Sequence, residues 1–164
     1  MSIFLAKQKV SKDWVDYNGH MNVAYYVLIF DVYGGEILMS GFNMGEDSAK
    51  NTKKSTMVVE SHITYNQELA EGDEVNVNLT YFNHDKKRLL YKLEMVHKEK
   101  KFLASTIEVL ALYVDLNNRK VSEFEDEKVQ IMDDFIEKNK SQFNSENLKS
   151  VSYTHLTLPT TPYV

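Results

Sequence analysis

At 164 residues, 43% hydrophobic and 26% charged, the chain has the size and composition of one globular domain. A formal net charge of −5 supplies no basic field for nucleic acid or an anionic membrane. The absence of cysteine removes disulfides, thiolate nucleophiles and thiolate metal sites together.

The amino terminus lacks the basic-then-apolar pattern of a secretory leader. The most apolar stretch, 23–30, is well short of the ~20 residues of a membrane span. The expectation is a soluble cytoplasmic protein. Residues 3–10 alternate as a short strand, and 11–22 form a polar loop. Residues 23–41 are apolar nearly all round, as in a helix enclosed by other structure; Asn22 is a suitable cap and Gly41 a suitable stop. Its β-branched and aromatic content favours strand locally, but nineteen residues is too long for one strand.

After a polar loop at 42–55 the period changes to two. Met57, Val59, Ser61, Ile63 and Tyr65 share one face, and Glu60, His62 and Thr64 the other. A turn with Gly72 leads to a strand over 75–81, a hairpin loop over 83–87 and a strand over 89–95. Residues 102–114 are apolar on both faces for most of their length, which predicts a central strand. A turn at 115–120 and a short segment at Val121 follow. Residues 125–140 carry Val129, Met132 and Ile136 at helical spacing, with acids first and lysines last, as the helix dipole favours.

Both prolines, Pro159 and Pro162, fall in the last fourteen residues, 151–164, which contain no Asp, Glu, Lys or Arg. That composition resembles translated adapter read-through more than a protein terminus. The expected organisation is one domain over 1–145 and a disordered or non-native tail over 146–164. The fold class is α+β: strand, buried helix, four meandering strands and a terminal helix, with short hairpin loops that exclude parallel crossovers after the helix.

Chemistry concentrates in Asp16-Tyr17-Asn18-Gly19-His20-Met21-Asn22. Asp16 is a carboxylate, Gly19 permits backbone geometry closed to other residues, and the helix behind begins with free N–H groups at Val23 and Ala24. Such donors stabilise an oxyanion while a nearby carboxylate activates water or attacks directly. Asp, Asn and Gly are equally the residues of turns and caps, so chemistry alone leaves both readings open. Glu60 and His62 are candidates for an acyl pocket, or for solvent. Lys86, Lys87 and Arg88 are candidates for coenzyme A phosphates, or for a solvated turn. The histidines show no metal-ligand spacing, and neither metal nor cofactor is expected.

The run Trp14-Val-Asp-Tyr-Asn-Gly-His-Met-Asn-Val-Ala-Tyr-Tyr26 resembles the loop–helix motif of hotdog-fold acyl-CoA thioesterases of the 4-hydroxybenzoyl-CoA thioesterase-like superfamily. It is closest in look to the betainyl-CoA thioesterases of carnitine breakdown. The likeness runs over about residues 3–122, through Glu60-Ser-His-Ile-Thr-Tyr65, Gly72-Asp73 and Lys87-Arg88-Leu89. It implies a hotdog fold, an antiparallel sheet of five to six strands wrapped around one long apolar helix, plus a C-terminal helix. It further implies acyl-CoA hydrolysis with Asp16 as base or nucleophile, His20 and Asn22 assisting, and the Val23 and Ala24 N–H groups as oxyanion hole. Gly19, Tyr25, Tyr26, Glu60, His62, Lys87 and Arg88 would contact substrate, in a homodimer or tetramer of dimers. A quaternary ammonium acyl group would favour aromatic faces and a carboxylate, which Tyr25, Tyr26 and Glu60 could supply. His20 stands where aryl-CoA members usually carry an apolar residue, which disfavours an aryl substrate. The alternative is a non-catalytic acyl-CoA or acyl-carrier binding module on the same fold.

Overall fold

Asn22 starts the long helix: its backbone is extended (ψ 144°) and its Oδ1 accepts the Ala24 N–H at 3.0 Å. In this computed structural model, residues 2–149 are described; residue 1 and 150–164, including the whole 151–164 segment, lie outside the described residues. The helical run Val23–Gly41 comprises α1 (Val23–Phe30), a π-helical turn (Asp31–Gly35) and α2 (Glu36–Gly41). By length and composition it could cross a membrane, so the apolar stretch is longer than 23–30 alone suggests. Here it packs on a sheet, burying Tyr26, Ile29, Phe30, Leu38 and Met39.

The helix approaches the sheet most closely at its glycine pair. A Cβ on Gly34 would stand 2.6 Å from Leu93 Cδ1, and one on Gly35 2.8 Å from the Tyr91 hydroxyl. The opposite face of the helix is not enclosed: Val23, Val27, Leu28, Val32 and Ile37 are exposed. Apolarity all round signals every surface to be covered, and within one chain only part of it is.

The strands are β1 (Ile3–Lys9), β2 (Lys54–Tyr65), β3 (Glu74–His84), β4 (Arg88–His97), β5 (Leu103–Asp115) and β6 (Lys120–Val121). They form one antiparallel sheet ordered β1-β3-β4-β5-β2, with β6 pairing the end of β5. The expected four-strand meander is therefore only three strands long. β2 pairs with β5 rather than β3, and the chain crosses the end of the sheet between them. β5 lies between β4 and β2 and is buried on both faces, as its two-sided apolarity requires.

The loop expected at 42–55 contains a further short helix, α3 (Glu46–Thr52), with acids in its first turn and a Glu46–Lys50 pair. The terminal helix α4 (Asp126–Asn139) turns Met132 fully inward, with Val129 and Ile136 beside it. At its start Glu125 accepts from the Tyr113 hydroxyl and from Lys128, which is buried and lies over the Tyr113 ring. Burial works to raise the Glu125 carboxyl, but Lys128, Tyr113 and Lys54 outweigh it and hold it below its usual range. The chain continues past 145 in contact with the sheet: the Lys149 N–H donates to Glu108 Oε2 at 2.6 Å.

Candidate active site

The Asp16 loop is a tight turn closed from within. Val15 and Met21 form a bridge, the Asp16 N–H donates to the His20 carbonyl at 3.2 Å, and the Gly19 N–H to the Asp16 carbonyl at 3.0 Å. Gly19 has φ +80°, the left-handed conformation in which a side chain is strained. Asp16 Oδ1 accepts the Asn18 N–H at 2.8 Å, an Asx turn that fixes the carboxylate; Oδ2 meets no donor among the described residues.

Two anchors set this turn against the helix. The Asn22 N–H donates to the Trp14 carbonyl at 2.8 Å, and Trp14 stacks on Tyr25 at 5.5 Å between ring centroids. The Met21 N–H donates to the Leu69 carbonyl at 2.7 Å, and the Leu69 N–H donates to the Tyr26 hydroxyl at 3.2 Å. Residues 66–69 belong to the β2–β3 crossover, which therefore forms the second wall of the site. The result is a cleft of about 670 Å³ lined by Asp16, Asn18, His20, Met21, Asn22, Val23 and Tyr26 on one side, and Tyr65, Asn66, Gln67 and Glu68 on the other. His20 Nε2 and Glu68 Oε2 meet across its mouth at 3.0 Å.

The helix start offers fewer open donors than its sequence suggests. The Ala24 N–H is occupied by Asn22 Oδ1, and the Tyr25 N–H by the Asn22 carbonyl at 3.0 Å. The Val23 N–H meets no acceptor among the described residues. Ala24 is thus corrected from oxyanion donor to capped backbone, because the Asn22 side chain folds back to do what an N-cap does.

Five other expected site residues are redistributed. Tyr25 is the Trp14 stacking partner and does not line the cleft. Glu60 and His62 lie 3.6 Å apart on the sheet face away from the helix, because strand alternation sends Ser61, Ile63 and Tyr65 inward. Lys87 and Arg88 sit at the other end of the sheet: Arg88 aligns through Leu112 with Met57, eight positions along β2 from Tyr65, or roughly 26 Å at ~3.3 Å per residue. Arg88 Nε is also bound to Asp85 Oδ2 at 2.5 Å.

A second chamber of about 440 Å³ opens between α1 and the inner faces of β2, β4 and β5. Its walls are Ala24, Val27, Leu28, Phe30, Val58, Ile107 and Val109; Asp31, Ser61 and Tyr91 are its polar groups. Burial pushes the Tyr91 phenol well up, reinforced by the charges of Asp31 and Glu36, so it stays neutral. The sequence offers Tyr65 and Tyr91 as core or pocket wall without separating the two; the crossover carried no local signal.

A family model described as the thioesterase-like superfamily matches residues 10–135, which span the turn, the helix, strands β2 to β6 and part of α4. The chain belongs to that superfamily. It is 30% identical over 118 residues to the betainyl-CoA thioesterase of Pseudomonas aeruginosa, covering 72% of this chain and 74% of that one. Its fold resembles a Staphylococcus aureus protein solved in complex with CoA (TM-score 0.72, 24% identity, 97% of this chain and 98% of that one). It also resembles a 1,4-dihydroxy-2-naphthoyl-CoA thioesterase from Synechocystis (TM-score 0.71, 16% identity, 82% and 97%). The antiparallel sheet around one long helix is the hotdog architecture, and the chain is a thioester hydrolase.

Proposed function

We propose that this thioesterase hydrolyses acyl-CoA in the cleft between the Asp16 turn and the β2–β3 crossover. The observation that carries the reading is a carboxylate fixed by its own Asx turn in the same cleft as the Val23 N–H at the start of α1, which meets no acceptor among the described residues. Asp16 would take the proton from water as it attacks the thioester carbon, or attack directly to form an anhydride that water then opens. The Val23 N–H would receive the developing oxyanion. Asn22 would hold the helix start, and His20, paired with Glu68, would orient substrate at the mouth.

For the acyl group, the second chamber favours a short chain with a cationic end. An apolar enclosure with one carboxylate, Asp31, and aromatic rings at Phe30 and Tyr91 suits a quaternary ammonium, in accord with the betainyl-CoA named for the Pseudomonas relative. Asp31 and Tyr91 replace Glu60 and Tyr25 in that role.

The same proposal includes a homodimer. β2 is a twelve-residue edge strand, with Val59 and Tyr65 exposed next to the uncovered helix face. Antiparallel pairing of two β2 edges about a two-fold axis would bring Lys87 and Arg88 of one copy toward the Asp16 end of the other, where coenzyme A phosphates need cations. Sedimentation of the purified chain tests the dimer; a monomer at all concentrations refutes it.

Thiol release from acetyl-, betainyl-, tert-butylacetyl-, aryl- and long-chain acyl-CoA tests the rest. Betainyl-CoA should be preferred over its neutral isostere tert-butylacetyl-CoA, and Asp16→Asn should lose roughly 10²–10⁴-fold in kcat. Unchanged rates in Asp16→Asn would remove Asp16 from the chemistry. Saturable acyl-CoA binding without thiol release would make the protein a binding module instead.

A further inference from the structure

The cleft has a second donor that the sequence motif does not announce. Tyr26 follows Val23 by three positions on α1, so the two residues share a helix face, and both line the Asp16 cleft. Its side chain is 4% exposed and stands edge-on to Tyr65 at 5.3 Å. The Leu69 N–H donates to the phenol oxygen at 3.2 Å. A backbone N–H can only donate, so the Tyr26 proton must point elsewhere, and it meets no acceptor among the described residues. A buried hydroxyl proton without a partner is costly, and the open volume it borders is the cleft. Burial raises the phenol above its ordinary value, which keeps that proton in place at neutral pH.

We infer that the Tyr26 hydroxyl is a catalytic hydrogen-bond donor that completes a two-donor oxyanion hole with the Val23 N–H. The inference rests on thioester hydrolysis in this cleft. Water oxygen bonds to the thioester carbon as Asp16 takes its proton, and the carbonyl π pair moves onto oxygen, which accepts from Tyr26 and Val23. When that pair returns, the C–S bond breaks and the proton on Asp16 passes to the CoA thiolate, giving free acid and CoA thiol. Tyr26 lends its proton without transferring it. Tyrosine takes the place that Ala24 would have filled, since the Ala24 N–H is committed to Asn22.

The test compares wild type and Tyr26→Phe on whichever acyl-CoA of the panel wild type hydrolyses fastest. The expectation is a kcat lower by about 10²-fold with KM within about twofold, since the oxyanion exists only on the way to the transition state. Tyr26→Phe also strips Leu69 of an acceptor, so a second variant separates donation from anchoring: site-specific fluorotyrosine at position 26. It keeps the shape and the Leu69 contact while making the phenol more acidic. The alkaline limb of its kcat profile should shift to lower pH. Wild-type-like kcat in Tyr26→Phe, or an alkaline limb indifferent to fluorination, overturns the inference while leaving hydrolysis intact. Absence of thiol release by wild type on every ester would instead overturn the function itself, and this inference with it.

Discussion

Gly34→Ala probes the contact that holds the long helix on its sheet. The added Cβ would sit 2.6 Å from Leu93 Cδ1 and 3.2 Å from Val77 Cγ1, well inside ordinary contact. Both neighbours are fully buried, and Val77 is β-branched with a stiff χ1, so neither can yield cheaply. Overpacking of this kind costs ~1–3 kcal/mol. Better helix propensity returns at most ~1 kcal/mol. The net expectation is a loss of about 1–2 kcal/mol, which with a urea slope of ~1–3 kcal/mol/M lowers the midpoint by roughly 0.3–2 M. Leu93→Val removes the nearer clashing atom. Alone it should cost about 1 kcal/mol for the deleted methylene. In the double variant the losses should fall short of additive by at least ~0.5 kcal/mol. A Gly34→Ala midpoint equal to or above wild type, or simple additivity, would refute the close-packing account.

Asn22→Ala should destabilise by ~0.5–2 kcal/mol in thermal or urea melts, because the Ala24 N–H loses its acceptor, whereas Asn22→Asp should keep the cap; equal losses in the two would rule the cap out. Tyr113 is one of three raised phenols, with Tyr26 and Tyr91, that lower stability at high pH. Burial and its bond to Glu125 raise the phenol above the ordinary value of 10.0, so the unfolded chain releases that proton first. Its contribution is complete below pH 10.0 and is lost as pH rises further, at up to ~1.4 kcal/mol per pH unit. Tyr113→Phe should flatten that decline in urea melts taken across alkaline pH, and an unchanged slope would contradict the assignment.

The Asp16 turn and the helix behind it are legible from the sequence because their causes are local. The Asx bond of Asp16, the positive φ of Gly19 and the cap of Asn22 all arise among residues that adjoin in the chain. The two-residue period of the strands kept Ser61, Ile63 and Tyr65 of β2 together, but the bulge between Val58 and Glu60 puts Val58, not Met57 or Val59, on their face, and nothing in the period announced it. The period could not say which of the two faces meets the helix, and so left Glu60 and His62 undecided. Strand partners, the second wall of the cleft and the use of each donor depend on chain crossings between distant segments. β2 pairs with β5 at the sheet edge, and the crossover from β2 back past β5 and β4 to β3 sets Leu69 against Met21 and Tyr26. The sequence by itself determined a carboxylate at a helix entrance. Tertiary structure alone decided that Ala24 is spent, that the Tyr26 oxygen is taken by the Leu69 N–H, and that Asp31 borders an apolar chamber, because hydrogen-bond satisfaction is settled only when every partner is in place.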